Sequence, residues 1–62
     1  MSDFYNKMIE TLEAARADVE RAEDGNKAAT SRVRKAMQEV KNLAQDVRKE
    51  MLELRDSGGR QS

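Results

Sequence analysis

From Ser2 to about residue 23, apolar side chains recur at helical spacing: Tyr5, Met8, Leu12, Ala15, Val19 and Ala22 step by 3, 4, 3, 4, 3. With about 3.6 residues per turn, that alternation keeps them on one stripe of an α-helix. In heptad notation Tyr5, Leu12 and Val19 take a, while Met8, Ala15 and Ala22 take d. Ile9 widens the stripe, as packing in a globular bundle requires. Ser2 stands where a hydroxyl can accept an unpaired N–H of the first turn. The pattern breaks at Glu23-Asp24-Gly25-Asn26. Gly25 suits the left-handed conformation that closes a helix, and Asn26 can cap the next one.

The stripe then resumes, with Val33, Val40, Val47 and Leu54 seven apart at a. Ala36 and Leu43 hold d; Met37, Ala44 and Met51 hold e. Helices joined by so short a turn fold back antiparallel. The expectation is an all-α unit, an antiparallel two-helix hairpin over residues 1–56. Its helices run from about 3 to 24 and 27 to 56, with the turn at 24–26. Residues 57–62 contain two glycines and no apolar side chain, and are expected to form a disordered tail.

The second helix outruns the first, by roughly 43 Å to 33 Å at about 1.5 Å per residue. Folded about Gly25, the hairpin brings Met8 near Leu43 and Tyr5 near Val47, and Met51, Leu52 and Leu54 overhang. Composition sharpens the point. Only 37% of the 62 residues are hydrophobic, and eight of those are alanine. Small scaffolds of this kind rely on disulfides, metals or self-association. Without Cys or His the first two are not expected, so a homodimer is, closing a four-helix bundle through Met51, Leu52, Leu54, Leu43 and Val47.

The same absences remove thiolate and imidazole ligands, cysteine nucleophiles and histidine bases. No Gly-rich phosphate loop, catalytic spacing or zinc spacing is present. Asp46/Glu50 and Glu50/Glu53 are spaced like metal-binding carboxylates but lack a Gly-centred loop, so they read as solvated charge. Met8, Met37 and Met51 read as seam filler. Neither an enzyme, a cofactor, a metal nor a small-molecule substrate is expected. No apolar run of about 18 residues suggests a membrane span, and no leader pattern opens the chain.

Twelve bases balance twelve acids, yet they are not mixed evenly. Residues 1–24 carry a net −4 and residues 25–62 a net +4. Between Gly25 and Gln38 lie Lys27, Arg32, Arg34 and Lys35 and no acid. Along the second helix Lys27, Arg34, Lys41, Arg48 and Arg55 all occupy b, a stripe about 42 Å long. Arg32, Glu39, Asp46 and Glu53 occupy g. Lys35–Glu39 and Lys49–Glu53 are spaced to pair within the helix, whereas Arg34, Lys41 and Arg48 have no acid three or four residues away. Such a row can bind phosphates. It can equally be a solvated face balanced by Glu10, Glu13, Asp18 or Glu20 of the first helix or of a second protomer.

The stretch Gly25 to Lys35, G-N-K-A-A-T-S-R-V-R-K, resembles the signature of the bacterial histone-H1-like proteins, and the likeness continues to Glu50. Over the first helix only length and apolar-acidic character agree. The resemblance is to short members without a basic tail, and it implies DNA binding in the nucleoid of the bacterial cytoplasm. Lys27, Arg32, Arg34 and Lys35 fall on the matching positions. Chlamydial members carry a long Lys/Ala/Pro-rich tail; these 62 residues have net charge zero, so compaction by bulk charge is not expected of them.

Together these features lead to a histone-H1-like, non-sequence-specific binder of double-stranded DNA. Its expected contacts are Lys27, Arg32, Arg34, Lys35, Lys41 and Arg48 to the phosphate backbone. The competing expectation is a structural or protein-interaction hairpin that ignores nucleic acid. RNA in place of DNA is not separable by sequence.

Overall fold

The computed structural model describes residues 2–57. It contains two helices, α1 (Asp3–Glu23) and α2 (Lys27–Ser57), packed against each other as an antiparallel hairpin. Ser57, assigned to the tail on composition, instead closes α2. The remainder of that tail, residues 58–62, lies outside the described residues.

Local chemistry accounts for both ends of α1 and for the start of α2. Ser2 is the N-cap of α1, its Oγ accepting from the Tyr5 N–H at 3.1 Å. At the other end Gly25 takes φ +100°, the left-handed region that side-chain-bearing residues resist. The Gly25 N–H donates to Ala22 O and the Asn26 N–H to Arg21 O, both at 3.0 Å. This is the paired closure in which a glycine turns the chain and satisfies the last carbonyls. Asn26 then starts α2, its Oδ1 accepting from the Ala29 N–H at 3.0 Å.

Two side-chain contacts set the register. Near the turn, Arg32 Nε donates to Asp18 Oδ1 at 3.0 Å. At the open end, Ser2 Oγ donates to Glu50 Oε1. Ser2 therefore caps its own helix and ties it to the other. Met8 falls level with about Leu43 in this register, and α2 beyond Glu50 runs past the start of α1. Met51, Leu52 and Leu54 on that overhang are all exposed.

The seam differs from the expected heptad stripe. In α1 it consists of Met8, Thr11, Ala15, Asp18 and Ala22, which are positions d and g. Tyr5, Leu12 and Val19, at a, are exposed. In α2 the seam is Ala29, Val33, Ala36, Val40, Leu43, Val47 and Glu50 at positions a and d, with Ala44 at e and Asp46 at g half-buried along its edges. The physical reason is width. One neighbouring helix covers a narrow stripe, so a stripe spanning three heptad positions cannot all be buried by it. Ala15 and Ala29 are the buried residues of the described core, and no large side chain is fully buried.

Candidate nucleic-acid interface

Three faces follow from that seam. Around a helix, at about 100° per residue, the heptad positions run a, e, b, f, c, g, d. An open groove along one flank is lined by Glu10, Thr11, Ala14 and Asp18 of α1 and by Ala36 and Glu39 of α2. That flank is acidic. The opposite flank therefore carries a and e of α1 with e of α2. Tyr5, Ile9, Leu12, Val19, Met37 and Met51 lie there, 37–48% exposed. That flank is apolar.

The third face is the back of α2, opposite its buried a/d side, formed by positions b, c and f. From Lys27 to Lys49 it presents six bases, namely Lys27, Arg34, Lys35, Lys41, Arg48 and Lys49. Between them stand Ser31, Gln38, Asn42 and Gln45, and no acid. All ten side chains are exposed. None of the six bases takes part in the ion pairs Arg16–Glu13, Arg21–Asp18, Arg32–Asp18 and Arg55–Asp56. Lys35, although spaced for a helix pair with Glu39, does not form it. The face spans about 33 Å, the axial reach of about ten phosphates along one strand of a duplex.

The acids of α2 stay off this face as far as Glu53; Asp56, at c, lies beyond its end beside Arg55. Glu39, Asp46 and Glu53 sit at g and Glu50 at d, where Glu50 accepts from Ser2. The start of α2 adds to the same field, since its first N–H groups and positive dipole end favour phosphate oxygens. Thr30 Oγ1 donates to Lys27 O at 2.6 Å, tightening that first turn.

Arg32 stands apart from the other expected contacts. It lies at g, bonded to Asp18, whose carboxylate also meets Arg21 at 3.5 Å. With its side chain 51% exposed it remains a surface cation, but it also joins the two helices. Lys27, Arg34, Lys35, Lys41 and Arg48 lie on one continuous face, and Lys49 belongs with them. Lys49, at c, lies off the b stripe and joins the face only when c and f are taken with b. Leu43 and Val47, expected between chains, are half-buried in the seam within the chain. On α1, Glu13 holds the Arg16 guanidinium above its ordinary pKa, by a hydrogen bond first and by its charge second.

The family model for histone H1-like protein Hc1 matches residues 2–57, the whole of the described hairpin. The chain belongs to that family. The histone H1-like family is one of DNA-packaging proteins, and membership points to a nucleoid DNA-binding role. No curated protein and no solved structure gives a significant match to the chain. The match extends over α1 as well as the signature stretch of α2, so the histone H1-like pattern describes the hairpin as a unit. No helix among the described residues is long and apolar enough to cross a membrane.

Proposed function

We propose that this chain is a nucleoid-associated protein of the bacterial cytoplasm, binding double-stranded DNA without sequence preference through the back of α2. The observation that carries this reading is the acid-free face with six bases, on a molecule whose net charge is zero. A neutral protein gains phosphate affinity only by sorting its charges. Contacts of this kind are made to the backbone and carry no base readout. Only one Phe and one Tyr are available for stacking on bases.

The binding unit is proposed to be a homodimer, a four-helix bundle. The single chain buries only alanines completely, and apart from Phe4 its exposed larger apolar side chains lie along one flank and on the α2 overhang. No cofactor or metal takes part.

The test is a gel shift on random-sequence duplex at low salt. Four to eight phosphate contacts per dimer give a log-log salt slope of roughly −4 to −7, with affinity around micromolar at physiological salt. Reversing Lys27, Arg34 and Lys35 together to Glu should abolish the shift with helicity unchanged, since all three are exposed. A parent chain that shifts no duplex even at low salt would make the hairpin a protein-interaction module, docking through its apolar flank.

A further inference from the structure

We infer that a second copy of this chain docks on the apolar flank with both turns at the same end, and that the resulting dimer holds two DNA duplexes, one on each side. This deepens the proposed function and rests on the homodimer and DNA binding proposed there. The flank itself carries Tyr5, Leu12 and Val19 of α1 beside Met37 and Met51 of α2. Its two borders are charged oppositely. Along α1 the bordering b positions include Glu13 and Glu20; along α2 they are the bases Lys27, Arg34, Lys41 and Arg48.

A two-fold dimer packs the same patch against itself, so only two arrangements place flank on flank. With the axis across the helices, α1 lies on α1 and α2 on α2. The turns are then at opposite ends, acid borders acid and base borders base. With the axis along the helices, α1 lies on the partner's α2 and the turns share one end. Every acidic border then meets a basic one.

The axial register agrees with the second arrangement. Residues level with each other across the hairpin have numbers summing to about 51, as Asp18–Arg32 and Ser2–Glu50 show. An axis along the helices preserves those levels in the partner. Glu13 then falls between the partner's Arg34 and the partner's Lys41. Glu20 falls between the partner's Lys27 and the partner's Arg34. The acids and bases interleave without shifting either helix. Arg16, at e, enters the interface with its counter-charge, since its Nε and a terminal nitrogen each donate to Glu13 at 3.3 Å. Its aliphatic stem covers apolar surface. The two α2 overhangs leave from the same end, side by side, so Met51 and Leu54 of each chain can cover one another.

The arrangement decides how DNA is held. With turns together, the two α2 helices occupy diagonal corners of the bundle and their basic backs point in opposite directions. With turns apart, the two backs stand side by side and present one wide surface to one duplex. Charge complementarity at the flank therefore selects a bridge between duplexes over a single platform.

Two measurements on the full chain test this. The sequence has no cysteine, so Asp24→Cys and Asp3→Cys give single spin-label sites at the two ends of α1. In the same-end dimer the label pair at position 24 lies within about 25 Å, while a mixed dimer labelled at 24 and 3 is separated by at least the roughly 31 Å length of α1. The second measurement is capture of a labelled random duplex by a bead-tethered one. The parent should capture it. The variant Glu13→Lys with Glu20→Lys should dimerise about tenfold more weakly and lose capture, although its gel shift persists.

A monomer at all concentrations overturns this inference together with the homodimer. A long 24–24 distance with a short 24–3 distance overturns the arrangement and leaves the homodimer standing. Correct distances and a gel shift without capture overturn bridging alone. Failure of the gel shift itself overturns bridging along with the DNA-binding reading, and the distances still decide how the chains pair.

Discussion

Ala15 of α1 and Ala29 of α2 are both buried in the same seam, and each helix brings further small residues to it. Outside the seam the helices part company. α1 exposes Tyr5, Ile9, Leu12 and Val19 along one flank and carries most of the chain's surplus acid. α2 exposes a back of six bases and neutral polar residues. The seam is thus the shared, weakly apolar part of the hairpin, and each helix takes a different outward task. In the proposed function the task of α1 is association through apolar surface, and that of α2 is charge. A chain of zero net charge can then be basic on the surface that matters to a phosphate backbone.

That division is broken most severely through α1. Changing Leu12 and Val19 together to Asp should leave the chain monomeric and largely unfolded, as seen by sedimentation and circular dichroism. Each side chain removes roughly 2 kcal/mol of burial, and each is lost twice in a dimer. The matching change in α2, Lys41→Glu with Arg48→Glu, should weaken DNA binding and keep full helicity. If both pairs unfold the chain equally, the division of labour is wrong.

The turn sharpens the comparison next, because it sets the relative position of the two helices. Gly25→Val should cost about 1–2 kcal/mol in denaturant unfolding, since a β-branched residue tolerates positive φ poorly. A Cβ at Gly25 would meet nothing within 4 Å, so that cost is backbone strain and not a clash. Asn26→Ala should cost about 1 kcal/mol through loss of the cap on Ala29 N–H. DNA binding by that variant should fall only with the folded fraction.

The smallest effect separates structure from binding at one residue. Asp18→Asn should cost on the order of 0.5–1 kcal/mol, the upper range of surface ion pairs, since Asp18 is half-buried. It removes the charge that engages Arg32 and Arg21, so DNA binding should hold steady or tighten slightly in a gel shift. A marked loss of binding would mean that the hairpin register, and not only the back of α2, carries the interface.

Much of this was legible before any coordinates. The Ser2 cap, the glycine closure at Gly25 and the Asn26 cap are all hydrogen bonds between residues a few positions apart. The overhang of Met51, Leu52 and Leu54 follows from helix lengths and a short turn. The basic stripe at b is legible too, whereas Lys49, spaced in the sequence to pair with Glu53, joins it only when c and f are added to complete the face. Asp18 and Glu50 were not singled out as partners of Arg32 and Ser2. Their contacts join residues 14 and 48 positions apart, and no local spacing reports them.

Local physics therefore settled where α1 starts and stops and where α2 starts, because caps and positive φ depend on neighbouring residues alone. Periodicity settled which side chains share a stripe. It left open which part of a wide stripe faces the partner helix, since that depends on how each helix rotates about its own axis. Packing made that choice: α1 turned Met8, Ala15 and Ala22 inward with Thr11 and Asp18, and left Tyr5, Leu12 and Val19 outside. The rotation follows from fitting two surfaces together, with Asp18–Arg32 and Ser2–Glu50 fixing its register. From that one rotation come the acidic groove, the apolar flank and the basic back of α2.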